Sequence, residues 1–174
     1  MSGPDKPSQE DAKMPSIKIK KLFPDAQLPV RSFETDSGLD LFVYKFEKVY
    51  TLDGVSNVDS DCEQLSMSPQ TRMLINTGIS ATVGKGFEIQ IRPRSGLALK
   101  HGLTVLNTPG TIDEQYRGMI GVILANLSTD VCDIHKGDRI AQMVVAPVVL
   151  SEIVEVDELP TTERSAGGFG SSGV

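Results

Sequence analysis

The chain has 174 residues, enough for one domain with a buried core, of which 39% are hydrophobic and 23% charged. A formal net charge of −6 and a pI near 4.9 exclude a surface built for nucleic acid or anionic lipid. A polyphosphate ligand stays open, because it needs only a local group of arginines and backbone N–H donors. The 16 glycines and 10 prolines, with valine and isoleucine in short runs, predict an all-β chain rich in turns. No apolar run reaches the ~20 residues that span a bilayer, and no apolar leader stands at the N-terminus. Cys62 and Cys132 sit in no metal-ligand spacing. The expectation is a cytoplasmic protein with reduced thiols, no membrane association and no nucleic-acid partner.

In chain order, residues 1–16 are polar, contain Pro4, Pro7 and Pro15, and predict a disordered tail. Ile17 to Phe23 alternates as a half-buried strand. A loop from Pro24 to Thr35 leads to Ser37-Gly38-Leu39-Asp40, a turn that feeds a second strand ending near Tyr44. Lys45 to Pro69 mixes charges with Gly54 and a weak apolar stripe, and reads as an extended loop or an extra hairpin without chemistry of its own. Thr71–Ile75 and Ile79–Val83 predict short strands. Phe87, Ile89 and Ile91 alternate with Glu88, Gln90 and Arg92, the cleanest period of two in the chain. One helical turn fits Leu97 to Lys100 before Gly102 stops it. Met119 to Leu124 predicts a buried strand. Arg139 to Leu150 predicts a long one, with Pro147 at a bulge or edge. Short strands separated by frequent turns fit a β-sandwich or barrel spanning residues 17–163, followed by a glycine-rich arm at 164–174.

The stretch that organises the chain is Asn107 to Gly118, N-T-P-G-T-I-D-E-Q-Y-R-G. Turn residues around a short β-branched pair predict a projecting hairpin, with Asp113 and Tyr116 beside exposed backbone. It reads equally as a surface turn or as a site for a flat ligand. Pro93-Arg94-Ser95-Gly96-Leu97 offers a guanidinium fork, a hydroxyl and a glycine at which backbone N–H groups approach an anion. Arg164-Ser165-Ala166-Gly167-Gly168-Phe169-Gly170-Ser171-Ser172-Gly173 lacks the lysine of a P-loop. It is either a mobile arm that closes over a nucleotide or a flexible tail. No G-x-S-x-G elbow accompanies His101 and His135, so a serine hydrolase is unsupported.

Taken together and in order, these segments resemble the trimeric, bacterial-type deoxyuridine triphosphatases (dUTPases). The resemblance rests on Ser37-Gly38-Leu39-Asp40, on Pro93 to Leu97 with Lys100-His101-Gly102, and on Gly110-Thr111-Ile112-Asp113 through Tyr116-Arg117-Gly118. Gly137-Asp138-Arg139-Ile140-Ala141-Gln142 and the glycine-rich arm complete it. It covers about Ile17 to Gly173 and leaves Lys45 to Pro69 unexplained. The resemblance implies a jelly-roll-like distorted barrel, a homotrimer with sites at subunit interfaces, and a C-terminal arm exchanged between subunits. It also implies Mg²⁺-dependent hydrolysis of dUTP to dUMP and diphosphate by water attack on the α-phosphorus. That reaction belongs to dUMP biosynthesis and keeps uracil out of DNA.

The same resemblance implies the residue roles. Backbone from Asn107 through Gly110, Thr111 and Ile112, with Gly121, reads uracil. Tyr116 packs under the deoxyribose, and Asp113 meets the 3′-hydroxyl and orients the attacking water. Arg94, Ser95 and Gly96 hold phosphate oxygens, and Arg164 meets the γ-phosphate. Phe169 covers the base, with Gly170, Ser171 and Ser172 in the closing arm. Mg²⁺ is chelated by the triphosphate, with Asp40 meeting it through water and Gln142 contacting its waters or the phosphates. Gln115 stands where many members carry a second Asp, and Ser165 and Ala166 also depart from the pattern. Two other readings stay open at this level: a dCTP deaminase or bifunctional relative on the same fold, and a nucleotide-switched regulatory protein. For the latter, Lys45 to Pro69 is the candidate surface for a protein partner.

Overall fold

The computed structural model describes residues 15–59, 61–163 and 165–167. The element order is β1 (Lys18–Lys21), β2 (Leu39–Phe42), β3 (Lys45–Thr51), β4 (Gly54–Asn57), β5 (Gln64–Met67), β6 (Arg72–Asn76) and β7 (Ile79–Thr82). There follow β8 (Phe87–Arg92), α1 (Ser95–His101), β9 (Leu103–Val105), β10 (Gly110–Ile112), β11 (Gly121–Asn126), β12 (Cys132–His135) and β13 (Arg139–Pro147). The chain is therefore nearly all β, as its composition predicts.

Two main sheets carry the fold, one ordered β10-β8-β13-β2 and the other β4-β3-β6-β11-β9, with two-stranded β1-β7 and β12-β5 ribbons at their sides. All pairings are antiparallel, so each strand alternates its side chains between core and surface. On β8, Ile89 and Ile91 turn inward at 0% and 2% exposure, and their partners Val145 and Met143 on β13 share that face. Leu39 and Leu41 of β2 extend the same layer. Opposite them the second sheet contributes Phe46, Met73, Ile75, Val122 and Leu124, all buried in one cluster. Burying such side chains is worth about 1.5–3 kcal/mol each, which fixes the register of every strand that carries one.

The same alternation aims the polar residues of the first sheet outward. Asp40, Gln142 and Arg92 form one row across β2, β13 and β8, because Gln142 pairs with both Asp40 and Arg92. The register shifts between Arg139 and Ala141, placing a bulge at the start of β13 rather than at Pro147. Pro147 instead ends the strand opposite Phe87. A further expectation is corrected. Asn107 to Gly118 is not a self-paired hairpin: β10 pairs with β8, and the chain then crosses to the second sheet, where β11 pairs with β6 and β9. Of the two alternatives for Lys45 to Pro69, the structure has the extra hairpin. β3 and β4 form a hairpin on the sheet edge, and β5 pairs with β12. The helical turn is longer than predicted, running from Ser95 to His101 with Gly102 as a left-handed cap at φ 64°.

Candidate active site

The first half of the site is built where β8 runs out into α1. Arg94 Nε donates to Asp40 Oδ1 at 2.9 Å, and Arg139 Nη1 donates to Asp40 Oδ2 at 3.1 Å. Arg94 Nη1 also donates to the Arg139 carbonyl at 3.1 Å. The Asp40 side chain is only 10% exposed, against 27% for Arg94. One mostly buried carboxylate thus holds two guanidinium groups in place, and the pair keeps an excess of positive charge facing out. A cavity of about 380 Å³ opens there, lined among others by Ser37, Asp40, Arg92, Arg94, Ser95 and Gln142. Gly96 also lies on its wall, beside the first-turn N–H groups of α1, which have no intrahelical partner. Gln142 Nε2 donates to the Pro93 carbonyl at 3.2 Å. A Cβ on Gly38 would collide with the amide oxygen of Gln142, so glycine there lets the Gln142 side chain lie against the turn before β2.

This donor set suits polyphosphate oxygens. Among the described residues no group of three or more His, Cys, Asp or Glu side chains is placed to hold a metal ion. Both Asp40 oxygens are engaged by arginines. A divalent cation therefore fits this cavity as a passenger on a polyphosphate, with the Gln142 amide beside it, and not in a protein cage of its own.

The second half lies around the segment after β10. A cavity of about 500 Å³ is lined by Asn107, Thr111, Ile112, Asp113, Tyr116 and Gly121, together with Glu47, Leu74, Asn76, Met119 and Ile123. Gly110 is buried against Ile91 of β8, where an added Cβ would meet Asn107 at 3.2 Å. Asp113 is exposed at the rim, and its carbonyl accepts the Tyr116 N–H at 3.1 Å, closing a tight turn. The Tyr116 hydroxyl donates to the Met119 carbonyl at 3.0 Å. A Cβ on Gly118 would strike the Tyr116 ring and hydroxyl, so glycine there lets the ring lie against its own turn. Strand β7 anchors the turn from below: Ser80 Oγ donates to the Arg117 carbonyl at 2.9 Å, and Thr82 Oγ1 donates to the Glu114 carbonyl at 3.0 Å.

The structure thus gathers Asn107, Thr111, Ile112, Asp113, Tyr116 and Gly121 around one cavity, and Asp40, Arg94, Ser95, Gly96 and Gln142 around another. Arg164, Phe169, Gly170, Ser171 and Ser172 lie outside the described residues. Sequence reasoning missed Arg92 and Arg139, although Arg139 stands in a motif segment at the start of β13 and Arg92 ends β8 just before one. It also missed Glu47 and Asn76, which carry no local signal.

The dUTPase family model matches residues 60–173. A deoxyuridine 5′-triphosphate nucleotidohydrolase of Nautilia profundicola is 48% identical over 157 residues, covering 90% of this chain and 98% of the relative. That of Hydrogenobaculum sp. is 50% identical over 156 residues, covering 90% and 96%. Among solved structures, a Staphylococcus bacteriophage 80alpha dUTPase mutant with dUpNHpp superposes with a TM-score of 0.72 at 26% identity, over 91% of this chain and 99% of that one. With the family model spanning well over half its length and relatives near half-identical across nine-tenths of it, the chain belongs to the dUTPase family.

Proposed function

We propose that this protein hydrolyses dUTP to dUMP and diphosphate, acting in the cytoplasm as a dUTP diphosphatase. The observation that carries the reading is the division of labour between the cavities. One is lined by arginines and helix N–H groups, and the other by Asp113 and Tyr116 beside accessible strand backbone.

In this mechanism the nucleoside enters the cavity of β10 and β11. Backbone of Asn107, Gly110, Thr111, Ile112 and Gly121 reads the uracil edge, leaving a cytosine amino group facing donors. Tyr116 supports the deoxyribose and excludes a 2′-hydroxyl. Asp113 accepts the 3′-hydroxyl and takes a proton from the water that attacks the α-phosphorus in line. Arg94, Ser95, Gly96 and Gln142 hold the phosphate oxygens, with Arg94 fixed in advance by Asp40, so little reorganisation is needed in the transition state. Arg164, Phe169, Gly170, Ser171 and Ser172 belong to the arm that would close on the γ-phosphate and the base. Mg²⁺ bound to the triphosphate would neutralise its non-bridging oxygens and draw charge from the departing diphosphate.

The working form is a homotrimer. The two cavities share no lining residue within one chain, which supports a site assembled from more than one subunit. The segment after β13 supports it too: Val149 and Ile153 are 88% and 97% exposed, as an arm laid across a neighbour would leave them on an isolated chain. Diphosphate release from dUTP, dTTP, dCTP and UTP, measured side by side, tests the reading. Turnover of dUTP above the other three is expected. Equal rates, or ammonia release from dCTP, overturn it.

A further inference from the structure

The nucleoside cavity has a wall that the proposed function leaves without a task. Asn76 ends β6 at 7% exposure and pairs with Gly121 of β11. Its Nδ2 donates to Glu47 Oε2. A carboxylate only accepts hydrogen bonds, so this contact fixes the amide with Nδ2 toward Glu47. The Asn76 Oδ1 is thereby turned toward Gly121, 3.6 Å from where a Cβ on that glycine would stand. Glu47 reaches this face because β3 shifts register between Phe46 and Lys48. The bulge keeps Phe46 in the core and adds a residue on the cavity side.

The consequence is electrostatic. The cavity is lined by the carboxylates of Glu47 and Asp113 and by no Lys or Arg. Lys45 and Lys48 flank the bulge, yet neither lines the cavity, and among the described residues Glu47 forms no ion pair. The phosphate cavity differs in carrying cations, with Arg92 and Arg94 on its wall beside Asp36 and Asp40. A ligand that is neutral at one end and polyanionic at the other finds cations in only one of the two places.

We infer that Glu47, held by Asn76, is a specificity-determining residue that bars anionic groups from the nucleoside cavity. Lining the same cavity as Asp113, which meets the 3′-hydroxyl, it adds a second negative charge that disfavours 3′-phosphorylated nucleotides. The inference rests on the proposed function and adds a discrimination that backbone reading of uracil does not supply.

The test compares inhibition of dUTP hydrolysis by dUMP and by deoxyuridine 3′,5′-bisphosphate. Both ligands carry the 5′-phosphate, so the phosphate cavity cancels in the ratio of their inhibition constants. In the wild-type protein the bisphosphate is expected to bind at least about tenfold more weakly, with the penalty shrinking as salt rises. In Glu47→Gln, which keeps the shape and removes the charge, the ratio is expected to fall by about tenfold. A ratio unchanged in Glu47→Gln overturns the inference. If that variant does not fold, a wild-type ratio near unity or insensitive to salt overturns it equally. Wild-type protein that fails to turn over dUTP overturns the proposed function itself. Normal turnover with an unchanged ratio overturns only the role of Glu47.

Discussion

At the residue scale, the site depends on groups whose positions are set before any ligand arrives. Asp113 stands at the cavity rim on a turn closed by its own carbonyl, and its carboxylate is exposed to solvent. Asp113→Asn retains the shape and loses the carboxylate proposed as proton acceptor. It is expected to lower kcat for dUTP by about 10²–10⁴-fold with little change in KM, which steady-state kinetics will show. Asp40 acts at one remove. Asn at that position keeps a single acceptor oxygen and leaves Arg94 and Arg139 adjacent without their counter-charge. Because both guanidinium groups are partly exposed, the loss of stability is discounted for solvent screening to about 1–2 kcal/mol. Asp40→Asn should therefore unfold at lower urea concentration. It should also lose about tenfold in kcat/KM through misorientation of Arg94, a penalty that added salt does not restore.

At the element scale, what the sequence could say depended on whether an element's partner is local. The alternation from Phe87 to Arg92 was legible because a period of two is written in the strand itself, and Ile89 and Ile91 are indeed buried. The turn at Gly102 was legible for the same reason, since a left-handed cap calls for glycine. The destination of β10 was not. Asn107 to Gly118 has the composition of a hairpin, but Gly110 to Ile112 finds its partner in β8, and nothing inside the segment names that strand. The bulge at Glu47 was hidden likewise, because only the register against β6 reveals that an extra residue faces the cavity. Many of the residues that line the two cavities stand in motifs legible in the sequence, whereas their separation into two cavities required the fold. The anchoring of the Asp113 turn by β7 is another non-local feature with a measurable effect. Ser80→Ala with Thr82→Val removes two hydrogen bonds to the carbonyls of Arg117 and Glu114. The double variant is expected to lose about 1–3 kcal/mol in denaturant unfolding and to raise KM for dUTP several-fold.

At the scale of the whole molecule, the separate cavities and the exposed arm make oligomerisation part of the catalytic argument. If the nucleoside half of one subunit works with the phosphate half of another, two inactive proteins can repair each other. Asp113→Asn lacks the proton acceptor but keeps Arg94, and Arg94→Ala has the converse defect. Each alone should be nearly inactive. Co-expressed with distinct affinity tags and purified through both, mixed trimers would contain some sites that pair an intact Asp113 with an intact Arg94. Each doubly tagged trimer with sites between neighbouring subunits places both intact residues in one of its three sites, so activity should recover to roughly a third of wild type. A site confined within one subunit permits no such recovery, since every chain in the mixture carries one of the lesions. Comparing the doubly purified protein with a simple mixture of the separately purified variants isolates the effect of shared sites. Recovery only after co-expression would tie the two cavities together across a subunit boundary. Its absence in stable mixed trimers would return the whole reaction to a single chain.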